Sequence, residues 1–260
     1  MSMDTQQQKC YKILVIGENC KDIYHFGTAS RLSPEAPVPI IKLSHKEYYP
    51  GMAANVANNL IALNNEVCLF TNIESIEKTR IVESRFNHHL LRIDDEPDVA
   101  SFSWENYDGN SLDFFDAFVI SDYNKGFIPH EALPELITLL SSHGKPVFID
   151  SKKKDLSSFK KCIIKINQKE YEESKDIPTD CELIITLGAN GASWRGNNFS
   201  AEKTEVFDVC GAGDTFLAGL VNRYLDTSGN MRESINFANK CGSLAVNKFG
   251  TFCLPVGELK

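Results

Sequence analysis

Short apolar runs recur along the chain with helical segments between them, and this alternation limits the fold more than any other feature. Residues Lys12–Gly17, 67–71, 117–121, 146–150, 162–166 and 183–187 are β-branched or aromatic runs bounded by turn residues. Several are apolar at consecutive positions, so both of their faces must be covered. Residues 131–142, 214–225 and 232–248 place apolar side chains at helical spacing. Strands of this kind alternating with helices predict an α/β fold, a three-layer α/β/α core around a mostly parallel sheet. Two stretches break the rhythm. Residues 22–49 and 78–105 carry strand-like runs, 38–43 among them, with turn residues between and no amphipathic helix. They are expected to form a small antiparallel sheet outside the core, a lid contributed by two separated segments. No linker rich in Gly, Ser or Pro divides the 260 residues, so one domain over 1–260 is expected.

The formal charge of −8 sets a repulsive field against nucleic acid, and no basic patch offsets it. Eight cysteines lie scattered at 10, 20, 68, 162, 181, 210, 241 and 253 without a CxxC pair, which reads as reduced, mostly buried thiols. Six histidines show no metal spacing and read as surface residues. The start MSMDTQQQKC lacks the basic and apolar regions of a signal peptide, and no apolar run approaches the roughly 18 residues of a membrane span. A cytoplasmic protein without a membrane or nucleic-acid partner is expected.

The strongest chemical signal is Asp208-Val209-Cys210-Gly211-Ala212-Gly213-Asp214 immediately before an apolar helix. A Gly-Ala-Gly turn opening a helix leaves backbone N–H groups pointing outward at the positive end of the helix dipole, an anion hole. Asp214 then stands beside the bound anion, where a carboxylate has a task as general base; the plain alternative is a helix cap. Tyr49-Pro50-Gly51-Met52-Ala53-Ala54-Asn55 runs from a turn into a small-residue helix start. It permits close approach of a ligand, with Asn55 offering donor and acceptor, or close packing of helix on sheet. Asp22 follows the first strand and can accept two hydroxyls or simply hold a turn. Asn167-Gln168-Lys169-Glu170 follows another strand. Its Asn and Glu suit the water shell of a magnesium ion, or equally a capping box. Thr186-Leu187-Gly188-Ala189-Asn190-Gly191 ends a strand in a glycine loop that can border an adenine ring or make a hairpin turn, and residues 122–126 end another near a sugar or phosphate.

Taken in order, these motifs resemble the ribokinase-like, PfkB-type carbohydrate kinases over nearly the whole chain. DVCGAGD is similar to the family's C-terminal signature, PGMAAN to its N-terminal glycine signature and NQKE to its Asn-x-x-Glu motif. A narrower resemblance, to the bacterial kinases of D-glycero-β-D-manno-heptose 7-phosphate, rests on residues 28–39, 91–94, 121–126, 149–152, 237–239 and 248–251. The resemblance implies an ATP- and Mg²⁺-dependent kinase acting on a sugar or sugar phosphate. Asp214 would be the base, with Gly211, Ala212 and Gly213 stabilising the transferring phosphoryl group. Asp22, Gly51 and Asn55 would hold the sugar. Asn167 and Glu170 would organise magnesium and phosphates, Glu170 through water, while Thr186, Gly188, Gly191 and Asn239 would border ATP. Charge alone nominates Arg31, Arg92 and Lys125 for the sugar phosphate and Lys152 for the nucleotide.

The chain departs from the family at three points. Met52 stands in place of a second glycine, and Glu18 replaces an aspartate after the first strand. Two connections, between residues 71 and 78 and between 171 and 183, are too short for the usual helix-containing units. A kinase of another small polyol and a non-catalytic sugar-binding homologue remain open at this level. The lid carries apolar positions such as Ile40, Leu43, Leu90 and Ile93, and the family resemblance implies a homodimer joined through it.

Overall fold

The computed structural model describes residues 9–107, 109, 111–248, 250 and 253–254. The N-terminal octapeptide, Phe249 and Thr251, on which part of the sequence reading drew, lie outside them. The principal sheet takes β1 (Lys12–Gly17), β4 (Glu66–Phe70), β7 (Ala117–Asp122), β8 (Val147–Ser151), β9 (Ile163–Asn167), β10 (Glu182–Thr186), β11 (Ala192–Trp194) and β12 (Asn197–Phe199). Their order is β12-β11-β10-β9-β8-β7-β1-β4, parallel from β4 through β10 and antiparallel only at the β11–β12 end.

The consecutive apolar residues of β1 and β7 explain the layering. Ile13, Val15, Ala117 and Val119 join one core with α1 (Ala53–Ala62), α4 (Ala212–Asp226) and α5 (Met231–Val246). Leu14, Ile16, Phe118 and Ile120 point the other way, onto α2 (Leu133–Ser142) and an aromatic cluster of Phe70, Phe102, Trp104 and Tyr107. Short α3 (Gln168–Glu173) completes the helices. The second face is therefore roofed partly by loops, as the two short connections require.

The lid is a four-stranded sheet in the order β3-β2-β5-β6, from β2 (Asn19–Leu32), β3 (Pro39–Met52), β5 (Glu77–Glu83) and β6 (His88–Asp95). Each hairpin is antiparallel, and the two join through a parallel pairing of β2 with β5. That pairing places Asp22 opposite Lys78 and Tyr24 opposite Arg80, so alternate residues of both strands share one face.

Glu18 is fully buried between core and lid. Its carboxylate accepts the backbone N–H groups of Tyr123 at 2.8 Å, Lys125 at 2.9 Å and Phe127 at 3.2 Å. The departure from aspartate thus has a structural use, pinning the loop after β7. Removing the acceptor strands three amides, each costing about 1–3 kcal/mol when unsatisfied and buried. Glu18→Ala is expected to destabilise the protein by about 3 kcal/mol, read as a lowered urea midpoint with an unchanged m-value.

Candidate active site

The C-terminal ends of β1, β7, β8 and β9 meet the start of α4 at one edge of the sheet, where open α/β sheets bind their ligands. Gly211 precedes α4 with a left-handed φ of 75°, and no side chain caps the helix. The Ala212 N–H of this 15-residue helix turns back to the Val209 carbonyl at 3.3 Å, and no side chain takes the amides that follow it. Asp208 braces the turn, accepting from the backbone N–H of Cys210 at 3.0 Å and of Gly250 at 3.1 Å.

Asp214, in the first turn of α4, is 4% exposed. It does not cap the helix. Its Oδ2 accepts from Asn55 Nδ2 at 2.9 Å and its Oδ1 from the Tyr123 hydroxyl at 2.7 Å. Asn59 donates to Asn55 Oδ1 at 3.0 Å and so fixes the direction of the Asn55 amide. Burial pushes the Asp214 carboxyl above its ordinary range, and the two donated hydrogen bonds oppose that shift.

A chain of charges runs beside the turn. Lys165 is buried and lies where a Cβ on Gly213 would come within 3.0 Å of its Nζ. It donates to Asp150 Oδ2 at 2.6 Å, while Lys152 reaches Asp150 Oδ1 at 3.4 Å and Glu170 Oε1 at 2.5 Å. Burial works to raise the Asp150 carboxyl, but the two lysines outweigh it and hold it below its usual range. Burial likewise disfavours the Lys152 ammonium, yet Asp150 and Glu170 keep it charged to higher pH than an ordinary lysine.

A cavity of about 250 Å³ opens between this edge and the lid. Asp214 and Tyr123 line it from the core; Asp22, Lys78, Arg80 and Arg92 line it from the lid. Asp22 and Arg80 form a buried ion pair, and Arg80 also lies over the Tyr24 ring at 5.0 Å. Gly51 is glycine for a steric reason, since a Cβ there would fall 2.2 Å from Asp22 Oδ2. Met52, also in the lining, adopts φ 57° and ψ −134°, a backbone region that suits glycine and costs other residues about 1–3 kcal/mol.

The structure gathers Asp22, Gly51, Asn55, Arg92, Lys152 and the 211–214 turn, and it corrects other expectations. Asn55 spends its amide on Asp214 and Asn59, so it orients the carboxylate. Arg31 is exposed on β2, nine residues beyond Asp22, about 30 Å along an extended strand and outside this cavity. Lys125 pairs with Glu96 at 2.5 Å and does not line the cavity. Asn167 and Glu170 form a capping box for α3. Thr186, Gly188 and Gly191 sit together at the end of β10 in the tight turn into β11. Gly191 cannot carry a Cβ there, which would lie 2.0 Å from the Phe199 carbonyl oxygen, and Asn239 donates to that same oxygen at 2.8 Å.

Sequence reasoning missed Lys78, Arg80, Lys165 and the precise use of Tyr123. The alternation Lys78-Thr79-Arg80 was a signal that two cations share one strand face, but the parallel partner that turns this face to the cavity was not.

Comparison with known proteins gives the family and the fold. Residues 76–256 match the description "pfkB family carbohydrate kinase". The chain belongs to that family. "Bifunctional protein HldE" of Helicobacter acinonychis (strain Sheeba) is 31% identical over 95% of this chain and 65% of its own length. The protein of the same name from Coxiella burnetii (strain Dugway 5J108-111) is 30% identical over 96% of this chain and 63% of its own. The chain therefore spans somewhat less than two thirds of these relatives. The first alignment runs over 307 positions, more than the 260 residues present, so the relative carries segments that this chain lacks. Among solved structures, Escherichia coli phosphofructokinase-2 in complex with potassium superposes with a TM-score of 0.71 at 15% identity, covering 96% of this chain and 97% of that one. Arabidopsis thaliana ribokinase complexed with ribose and ATP gives 0.67 at 15% identity, covering 96% and 98%. These likenesses show the ribokinase-like fold.

The Tyr123 hydroxyl favours the ionised form of Asp214. Tyr123→Phe is expected to raise the Asp214 pKa further, moving the acid limb of the kcat profile to higher pH. A profile identical to that of the parent enzyme contradicts this assignment.

Proposed function

We propose that this pfkB-family carbohydrate kinase transfers the γ-phosphoryl group of ATP to a hydroxyl of a sugar phosphate, a heptose phosphate or a close relative. One observation carries the reading. The buried Asp214 carboxylate, at the open N-terminus of α4, lines the same 250 Å³ cavity as Asp22 and three lid cations, Lys78, Arg80 and Arg92. Asp22 neutralises Arg80, Asp94 pairs with Arg92 at 2.7 Å, and Lys78, with Glu96 4.0 Å away, lies over the Tyr123 ring at the cavity wall. A neutral sugar needs no such collection of cations, whereas a phosphorylated one does. The resemblance of residues 28–39 to the heptose phosphate kinases supports the narrower substrate.

In this reading Asp22 accepts sugar hydroxyls with its oxygen not held by Arg80, and Asp214 takes the proton from the attacking hydroxyl. In-line phosphoryl transfer asks mainly for positioning and charge stabilisation. The amides of the 211–213 turn would face the transferring phosphoryl group, with Lys152 and Lys165 adding positive charge nearby. The donor set fits a nucleotide's phosphates. It fits magnesium more loosely: one Glu170 oxygen receives the Asn167 backbone N–H at 2.8 Å and the other receives Lys152. A magnesium ion would be held chiefly by phosphates and water, with Glu170 in its outer shell. Thr186 and Gly188 would border the base.

The lid supports a homodimer. Its face away from the cavity exposes Leu43, Tyr48, Leu91 and Ile93, each at least half exposed. A two-fold contact between lids would cover these side chains and the free strand edges together. Leu43→Glu is expected to convert a dimer into monomers by light scattering; a monomeric parent protein overturns the pairing.

Asp214→Asn keeps the shape of the side chain and removes the base. Turnover should fall about 10²–10⁴-fold, with nucleotide binding by calorimetry unchanged. ADP release with ATP and Mg²⁺ across sugars and sugar phosphates tests the substrate class. Turnover confined to phosphorylated sugars supports it; turnover with unphosphorylated sugars alone overturns it, and silence across the panel favours a binding protein.

A further inference from the structure

The short connection between α3 and β10 has a chemical consequence away from the cavity. Cys162 immediately precedes β9 and Cys181 immediately precedes β10, and these strands pair in parallel with Ile163 opposite Glu182. The backbone bond from Glu182 N–H to the Cys162 carbonyl, 3.0 Å, extends the pairing to the cysteines. Their sulfurs lie 3.4 Å apart. Side chains on adjacent paired strands stand at the separation a disulfide spans, so closing the remaining gap needs side-chain rotation and no strand movement.

The two thiols differ in the way a peroxide-sensitive pair requires. Cys162 is 4% exposed and packs in the core on the α2 face of the sheet. Cys181 is half-buried and lines an open groove of about 560 Å³ with Glu182, Leu183, Ile185 and Arg195. The two sulfurs share a hydrogen bond in which either thiol can donate. This hydrogen bond favours the thiolate at Cys181, against burial and the neighbouring Asp180 carboxylate, and together with burial it favours the thiol at Cys162.

We propose that Cys162 and Cys181 are a redox-modification site that a peroxide oxidises to an intrachain disulfide. The Cys181 thiolate attacks one peroxide oxygen, the O–O bond breaks and water leaves after protonation, giving a sulfenic acid at Cys181. The Cys162 sulfur then attacks the Cys181 sulfur; the S–O bond breaks and the Cys162 proton leaves with hydroxide as a second water. Two thiols are oxidised and one hydrogen peroxide is reduced to two waters. The bond closes the loop that carries Asn167, α3 and Glu170, and a disulfide restrains the unfolded chain most directly within the loop it closes.

The full-length protein, reduced and then treated with hydrogen peroxide, provides the test. Trypsin cuts after Lys161, Lys165, Lys175 and Arg195, so the linked product is peptide 162–165 joined to peptide 176–195, lighter than their sum by two hydrogens. Mass spectrometry without reductant is expected to find that species, and dithiothreitol to abolish it. Oxidation should also raise Tm by a few degrees and slow amide exchange in 168–180. Cys181→Ser and Cys162→Ala should each lose the linked species and both shifts. Alkylatable thiols at both positions after oxidation, a bond from Cys181 to another cysteine, or sulfinic acid at Cys181 without a cross-link each overturn the proposal. None of these readouts depends on the substrate or on turnover, so the result stands apart from the kinase reading.

Discussion

A carboxylate buried at a helix N-terminus governs the arrangement around it. Asp214 sits 4% exposed in the first turn of a helix that no side chain caps. A charge in that position is tolerable only with donors aimed at it, and its two partners come from elements far apart in sequence. Asn55 arrives on α1, directly after the lid strand β3. Tyr123 arrives on the loop after β7, and that loop keeps its shape because Glu18 collects three of its amides. The Asp214 carboxylate, the lid junction and the core sheet are therefore tied by one set of hydrogen bonds, and disturbing any member reaches the others.

The same region solves a second electrostatic problem. Lys165, Asp150 and Lys152 are drawn from the two neighbouring strands β8 and β9 and from the residue after β8, and Glu170 ends the series on α3. Isolated, the buried Lys165 and Asp150 would each carry a large desolvation cost; paired at 2.6 Å they offset it. Two lysines against Asp150 and Glu170 leave the site with little net charge at rest. Lys152, part-exposed, reaches both Asp150 and Glu170, while Lys165 is buried against Asp150 beside the turn.

The core was legible because its strands must be apolar on both faces, a demand that few other folds make. The motif at 208–214 was legible because a Gly-Ala-Gly turn before a helix has few uses. Other parts depend on register. Lys78 and Arg80 reach the cavity because β5 pairs in parallel with β2, a contact between segments more than fifty residues apart that no local pattern announces. Arg31 is the complementary case: charge suggested a phosphate partner, and strand length carries it to the far end of the lid, away from the cavity of this chain. At Asn167 and Glu170 both readings drew on the same residues, and the capping box is the one whose hydrogen bonds are visible. Gly191 and Asn239 serve the β10–β11 turn and its tether to α5, so residues proposed to border a nucleotide also hold the wall that would border it.

The missing connections bear on what this fold requires. Helices usually cover both faces of such a sheet, yet here the second face retains α2 and an aromatic cluster, and Leu183 and Ile185 border an open groove. The short connections lie after β4 and before β10. The partners of Asp214, the charges around Asp150 and the lining of the lid cavity come from elsewhere in the chain. Those groups hang from β1, β7, β8 and β9 at the centre of the sheet and from α4 packed on α5 and α1, the most deeply buried part of the molecule. A peripheral helix stabilises chiefly through the apolar area it covers, so its loss subtracts from stability and leaves a sticky flank. A central strand positions groups whose placement matters to fractions of an ångström, and it cannot be shed on the same terms.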